Sequence, residues 1–410
     1  MIAPSPSVPP IRSAPLWLLT LITFSGTLAM HIYVPAMPEA GQALGANIGE
    51  MQMTMSVYIL GLAMGQLLYG PLSDRFGRRP LLMAGLLVYT LTSVAAAFAT
   101  AVNGLIVLRL FQALGGCAGL VIGRAMVRDS VQSHEAARRL ALMNLMVVFG
   151  PGAAPLIGSA LASFLGWRSI FYALSLLGIV NLICAWFLLP ESRARTVAPK
   201  DDSPAGSSPR SSSLGRDYAR LLTSPTFLGY AIGGACATTA MYAFIGASPF
   251  IFAHQLHRPD YEIGLYPAIL MGGVASGSMV ATKLFSLVRI ERLAISASLL
   301  SVLASLTFLA VVLTDNLSVA LVIGPMFVFG FGAGIAAPAA LTQAMSVNPN
   351  VVGSASGLYG FSQMAVGALC TTLVAAGDNP ALAAAIILAA AGLIGQLSFW
   401  LALSRRITKG

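Results

Sequence analysis

Two ionisable side chains lie inside long apolar stretches, where any chemistry they perform would take place within a membrane: His31 and Arg109. Histidine has an unperturbed pKa of about 6.5, so it can gain and lose a proton near neutral pH. A buried arginine costs at least about 2.5 kcal/mol to insert into a bilayer, so we expect it to face the protein interior and to have a role. None of the 14 carboxylates lies in the middle of an apolar stretch. If protons are exchanged in the interior, His31 is therefore the predicted carrier.

The composition indicates that membrane-spanning helices position these residues. Of the 410 residues, 57% are hydrophobic and only 9% are charged, whereas soluble domains are about 25% charged. A water-soluble globule is excluded, and so is a disordered chain, because disorder requires few apolar residues and much charge. At about 20 residues a span plus connecting loops, the length corresponds to about a dozen spans.

Apolar runs separated by charged or turn residues predict twelve spans in two groups of six. The first six lie near 16–38, 51–71, 81–100, 103–124, 140–163 and 167–189, and the second six near 225–253, 261–282, 292–313, 317–343, 352–375 and 379–403. The first run is about 23 residues long, which exceeds the apolar region of a signal peptide. The predicted fold is an all-α membrane protein with twelve transmembrane helices.

The positive charges predict the orientation. Of the 23 Lys and Arg residues, 20 fall in the amino-terminal segment, the even-numbered loops and the carboxyl tail, and only Arg168 and Arg258 fall in odd-numbered loops. The positive-inside rule then places both termini in the cytoplasm. The net charge of +9 is thus a topology signal, and no nucleic-acid partner is expected.

A polar segment divides the predicted spans into two equal groups. Residues 190–224 include a run rich in Ser, Pro and Gly and predict a flexible cytoplasmic linker. Residues 1–189 would form an amino-terminal six-helix bundle and residues 225–410 a carboxyl-terminal one, with a substrate route between the two.

The segment between spans two and three carries a recognisable motif, GQLLYGPLSDRFGRRP at 65–80. Its glycines permit a tight turn, and its aspartate can pair with arginines or with a helix N-terminus. The segment resembles the signature loop of the major facilitator superfamily. The residues concerned are Gly70, Asp74, Arg75, Gly77, Arg78 and Arg79. The alternative is that the arginines only anchor the loop at the cytoplasmic face.

The resemblance implies a cytoplasmic gate in which Asp74, Arg78 and Asp129 form a charged cluster. It would brace the two bundles in the outward-open state, with Asp74 near the start of span eleven around Gly353. In span four, Arg109 followed by Gln112 resembles the intramembrane arginine motif of the same superfamily.

Span five resembles the motif associated with antiporters of the superfamily. It contains Gly150, Pro151, Pro155 and Gly158. The prolines remove backbone donors, so we expect this helix to bend, while the glycines let a neighbour approach closely.

The end of span one, from His31 to Pro38, and the segment from Arg124 to Asp129 resemble the drug:proton antiporters of the bicyclomycin- and chloramphenicol-resistance branch. The resemblance implies a monomeric transporter in the bacterial inner membrane that exports small drug-like compounds in exchange for protons. Its partners would be a small-molecule substrate, protons and lipid. One departure is that this branch usually has an aspartate where this chain has His31.

The predicted coupling site combines His31 and Arg109 with Tyr33, Gln112 and Tyr58. From the predicted span ends, His31 lies about 10 Å and Arg109 about 9 Å below the outer edge at 1.5 Å per residue. We therefore expect both to face one cavity. The alternatives are a lining or packing role for His31 and the tyrosines, and an interfacial position for Arg109.

Two other functions fit the same sequence. The missing aspartate favours a facilitator or importer of a small metabolite without proton coupling, and a non-transporting receptor or scaffold is the other alternative. Nothing indicates an enzyme, since no catalytic triad or phosphate-binding glycine loop is present. The four cysteines lie far apart in apolar stretches, so neither a metal nor another cofactor is expected.

Overall fold

The computed structural model describes residues 14–130, 133–190, 214–347 and 352–407, and the regular structure in these ranges is helical. The helices are α1 Leu16–His31, α2 Met37–Leu44, α3 Ile48–Phe76, α4 Arg78–Ala97, α5 Val102–Ser130, α6 Ser133–Leu165, α7 Arg168–Leu188, α8 Leu214–Leu222, α9 Pro225–Thr239, α10 Met241–Phe250, α11 Asp260–Ile263, α12 Leu265–Leu284, α13 Ile290–Leu313, α14 Val319–Ser346, α15 Val352–Ala375 and α16 Pro380–Ile407.

The described residues contain eleven helical stretches long and apolar enough to cross a membrane. The apolar part of α6, Gly150–Leu165, supplies the twelfth predicted span. Two stretches are composite: α1 continues through a 3₁₀ turn into α2, and α9 continues through α10 into a π-helical turn. The twelve positions predicted from hydropathy are confirmed.

The sequence analysis missed α8, because it treated residues 190–224 as a linker without structure. Leu221 of this short helix is buried, and α8 packs against α9 and α15. A nine-residue helix gives too short an apolar pattern to stand out beside spans of 20 residues. Residues 191–213, the rest of that segment, lie outside the described residues, so the bundle boundaries stay a prediction.

Local sequence explains where the first helices begin and end. Pro35 has no N–H to donate to the carbonyl of His31, and α1 ends at His31. Asn47 and Glu50 form a reciprocal capping box, with hydrogen bonds of 2.8 and 2.9 Å, at the start of α3. Gly77 ends α3 with φ +92°, a backbone conformation that favours glycine.

Each half is organised around one central helix. In the first half α5 packs against α1, α3 and α4, and in the second half α14 packs against α9, α12 and α13. The halves meet where α3 runs antiparallel to α15 and where α6 lies against α12. We call the end of the helices that carries α2 the α2 end and the opposite end the Gly77 end.

The two ends differ in how tightly they are packed. At the α2 end, residues 29–38 and 242–252 are all buried. Ser159 of α6 also donates a hydrogen bond of 2.9 Å to the Asp260 carbonyl of α11, which joins the two halves. Towards the Gly77 end, residues 360–366 of α15 are half-buried on every side of the helix. The protein is therefore closed at the α2 end and less tightly packed beyond it.

Candidate functional site

Arg109 lies at the centre of the first half and is completely buried. Its Nη1 donates hydrogen bonds to the Ala29 carbonyl of α1, at 3.1 Å, and to Oε1 of Gln112, at 2.7 Å. Ala29 belongs to the last turn of α1, whose carbonyls lack helical partners and carry the negative end of the helix dipole. The guanidinium thus stabilises the end of α1 close to the break at Pro35.

Two tyrosine rings surround the rest of this guanidinium. Its carbon lies 4.0 Å from the ring centroid of Tyr58 and 5.0 Å from that of Tyr33, which are cation–π contacts. The Tyr58 hydroxyl donates to the Gly26 carbonyl at 2.6 Å. Arg109 therefore has aromatic faces and carbonyl oxygens as neighbours, and no carboxylate lies in ion-pair contact with it among the described residues.

The predicted residues Arg109, Gln112, Tyr33 and Tyr58 come together, and two residues of α4 complete the group. Nε2 of Gln112 donates to Ser93 at 2.8 Å. The hydroxyl of Tyr89, one turn before Ser93, donates to a carbonyl of α1 at 3.3 Å. Sequence reasoning missed both, because the sequence of an apolar helix does not show which neighbour each of its polar residues meets.

His31 has contacts different from those of Arg109, and the shared cavity of the two residues stays a prediction. Its Nδ1 lies 2.9 Å from the Thr27 carbonyl, and its ring centroid lies 6.0 Å from that of Tyr242. Gly26 marks the side of α1 that packs on α5, and His31, five residues later, is about 140° around the helix. The two predicted depths agree, but the side chains point in different directions.

The position of His31 is at the contact between the two halves. Tyr242 belongs to α10, and Gly246 of the same helix lies against Met55 of α3. His31 is buried, and its Nε2 has no hydrogen-bond partner in the described part of the chain. A titratable nitrogen without a partner thus lies at the closed α2 end, where the halves would have to separate to open a path.

Three charged residues of the predicted gate lie together in the structure, and their role as a gate stays a prediction. Arg78 lies 3.3 Å from Asp74 and 2.5 Å from Asp129, which joins the start of α4 to the ends of α3 and α5. The other arginines of the motif point elsewhere: Arg79 donates to the Trp186 carbonyl at 2.7 Å, and Arg75 lies over the Phe76 ring at 5.3 Å. A β-carbon at Gly70 would meet no atom of the described residues within 4 Å.

The antiporter-like motif of α6 packs against both halves. A β-carbon at Gly150 would collide with Phe24, and one at Gly158 with the Ile32 carbonyl, so both glycines allow α1 to approach. Pro155 lies on another side, where its carbonyl contacts Gly264 beside α12. The helix continues through Pro151 and Pro155 from Ser133 to Leu165. The motif therefore lets α6 fit between α1 and the second half, and the predicted bend stays a prediction.

Comparison with known proteins identifies the family. The model described as "Major Facilitator Superfamily" matches residues 19–371. The chain belongs to the Major Facilitator Superfamily. Members of this superfamily are multi-pass membrane transporters, so the chain is a transporter rather than an enzyme.

Relatives within the superfamily include drug-resistance proteins. The chain is 25% identical over 366 residues to the bicyclomycin resistance protein homolog of Haemophilus influenzae, covering 89% of this chain and 90% of that protein. It is 37% identical over 187 residues to the chloramphenicol resistance protein of Pseudomonas aeruginosa, covering 45% of each chain. The D-xylose-proton symporter has the same fold, with a TM-score of 0.71 at 14% identity over 93% of this chain and 96% of that one. The resemblance and the fold inferred from the motifs are confirmed.

Proposed function

We propose that this transporter exports small, largely apolar drug-like compounds across the bacterial cytoplasmic membrane in exchange for protons. The bundles formed by residues 1–189 and 225–410 would alternate between opening to the cytoplasm at the Gly77 end and to the outside at the α2 end. The names of the drug-resistance relatives support the substrate class, and the distribution of cations supports the orientation.

The observation that carries the proton-exchange proposal is the unpartnered Nε2 of His31 at the contact between the halves. While the α2 end is closed, Nε2 is buried next to Tyr242 and has no contact with water through which it could exchange a proton. When the halves separate there, Nε2 would meet water and could take up a proton. Proton binding would then be linked to the conformation of the transporter, as exchange requires.

Arg109 supports this role through the backbone of α1 rather than by direct contact. Its hydrogen bond to the Ala29 carbonyl holds the last turn of α1, and His31 is two residues further along that turn. Movement of α1 against α5 would therefore reposition the imidazole. Arg109 and Gln112 act in this proposal as positioning residues, and His31 as the proton-binding residue.

The test compares His31→Ala with the parent protein in everted membrane vesicles that have an acidic lumen. The parent should accumulate labelled chloramphenicol, whereas His31→Ala should lose accumulation but retain exchange of labelled for unlabelled compound at equal concentrations. His31→Asp keeps a titratable group and should retain accumulation with an optimum at lower pH, since carboxyl groups ionise at lower pH than imidazole.

His257→Asn is the matched control. His257 is exposed at the α2 end and has φ 49°, a conformation that asparagine tolerates. This variant should behave like the parent. Accumulation by His31→Ala equal to that of the parent would refute His31 as the proton carrier and direct attention to Glu39, which is exposed at the same end.

A second candidate function is a facilitator without proton coupling. The observation that favours it is that each acidic residue lies near a helix end or in a loop rather than in the middle of a predicted span. The same vesicles distinguish the two functions, because a facilitator would equilibrate the compound in parent and variant alike and would accumulate it in neither.

A further inference from the structure

Arg124 is a second arginine within the helical core. The distribution of positive charge groups Arg124 with the cations of a cytoplasmic loop, but α5 continues past it to Ser130. The residue is half-buried, and its Nε is sealed from solvent without a hydrogen-bond partner in the described part of the chain. The cation therefore lies within a helix, and at least its Nε donor is left unused by the described residues.

Arg124 and Arg109 project from the same side of α5. Fifteen residues separate them, which corresponds to about 22 Å along the helix and about 60° around it. Cys117, within about 20° of Arg124 around the helix, donates to the Leu62 carbonyl of α3 at 3.3 Å. On the other side of Arg124, a β-carbon at Gly123 would meet the Thr23 hydroxyl of α1. Arg124 thus points into the angle between α3 and α1.

The adjoining face of α1 is partly open over the same depth. Thr20, Phe24 and Thr27 are half-buried and follow one another at helical spacing, and His31 ends this face at the closed α2 end. The α1–α5 contacts bring Gly119 against Ile22 and Gly116 against Gly26, so Arg124 lies at the level of the first turns of α1. From the Gly77 end towards the α2 end, the spatial order is therefore Arg124, then the partly open face of α1, then His31.

In the part of the chain that the structure describes, this side of α5 carries positive charge without a paired carboxylate. Among the described residues, no carboxylate lies in ion-pair contact with Arg124 or Arg109. The membrane part of α6, residues 140–165, contains no acidic residue in its sequence. Unbalanced positive charge in a region of low dielectric attracts anions and opposes cations. A substrate moving along this face would be selected by the sign of its charge.

We propose that Arg124 is a substrate-binding residue and that the substrates are amphipathic organic anions, with an aromatic or aliphatic body and a carboxylate-like group. The guanidinium offers a fork of N–H donors that matches a carboxylate, and the half-buried Phe24 of the α1 face offers an apolar surface. The inside-negative membrane potential also drives anions outwards. This inference rests on the proposed function, because it places the substrate on the route between the two bundles.

The test measures binding to the purified full-length protein in detergent, by ligand-induced shifts of the unfolding temperature at pH 7.5. Three compounds share one body: 4-phenylbutyrate is anionic, 4-phenylbutyramide is neutral, and 4-phenylbutyl-trimethylammonium is cationic. The anion should bind at least tenfold more tightly than the cation, with the neutral compound between them.

Variants of Arg124 assign the selectivity to this residue. Arg124→Gln should lower the ratio of anion to cation affinity at least tenfold, whereas Arg124→Lys, which keeps the charge, should leave it within threefold of the parent. Arg289→Gln makes the same change at an exposed site near the Gly77 end and should leave the ratio unchanged. If Arg124→Gln does not fold, Arg124→Met, which also removes the charge, takes its place, and the three-compound panel on the parent still tests the preference for anions.

Several results would overturn the inference: equal or tighter binding of the cation, no binding of the anion, or an unchanged ratio in Arg124→Gln. Because binding is measured without any gradient, the outcome is separate from that of the proton-exchange test. Anion selectivity without proton-driven accumulation would refute the proposed function alone, and proton-driven accumulation of cations would refute this inference alone.

Discussion

Replacing Arg109 by leucine removes the buried guanidinium while keeping an apolar side chain at the centre of the first half. The change leaves two acceptors without their donor, the Ala29 carbonyl and Oε1 of Gln112, at about 1–3 kcal/mol each. It also removes the contacts with the Tyr58 and Tyr33 rings, worth about 2 kcal/mol each when desolvated. Against this, inserting the arginine costs about 2.5–3.5 kcal/mol. We expect a net loss of stability of about 2.5–7.5 kcal/mol.

A double-mutant cycle isolates the contact that defines the group. Arg109→Leu, Gln112→Leu and the double variant should show a coupling of about 1.5–3 kcal/mol, the range for a hydrogen bond to a charged partner. The free energy of unfolding is measured by titration with sodium dodecyl sulfate in mixed micelles. Because Gln112 also donates to Ser93, the single Gln112→Leu change should destabilise the protein as well.

Arg168→Leu provides the comparison. Arg168 also donates to a backbone carbonyl, that of Ala99 at 3.0 Å, and lies 4.3 Å from the Trp167 ring. It is half-buried at the first position of α7, where water can replace the lost donor, so we expect a loss of about 1 kcal/mol or less. A coupling below about 0.5 kcal/mol, or an Arg168→Leu loss as large as that of Arg109→Leu, would refute this account of Arg109.

Three further predictions test the gate, the packing and the topology. Asp74→Asn weakens the charged cluster of the Gly77 end, so it should shift the transporter towards the state open at that end and lower transport with normal expression. Unchanged transport, together with unchanged distance distributions across that end measured by electron paramagnetic resonance, would contradict this. Gly273→Leu should reduce the folded yield in size-exclusion chromatography, because a β-carbon there collides with the backbone of α14. The adjacent Gly272 faces open space, so Gly272→Leu should leave the folded yield unchanged, and equal yields of the two variants would contradict the packing. In a background without the native cysteines, Asp378→Cys should react with a membrane-impermeant thiol reagent on intact cells, whereas Ser208→Cys, outside the described residues, should not react. The reverse pattern of labelling would overturn the predicted orientation.

Much of the fold and part of the site were predictable from the sequence. Hydropathy locates the twelve spans because the bilayer requires about 20 apolar residues for each crossing. The group of Arg109 and Gln112 was predictable because residues three apart lie on one face of a helix. The ion pairs of Arg78 were predictable because Asp74 is four residues before it across the tight turn at Gly77.

The tertiary structure alone determined how these local features face one another. The sequence determines the depth of His31 and Arg109, since rise per residue is constant, but not the direction in which each side chain points across the bundle. That direction depends on how glycines such as Gly26 and Gly116 bring α1 and α5 together, and such close contacts join residues 90 positions apart. Helix packing therefore places His31 at the contact between the halves and Arg109 inside one of them. For the same reason Arg124, at the predicted end of span four, is part of the helical core.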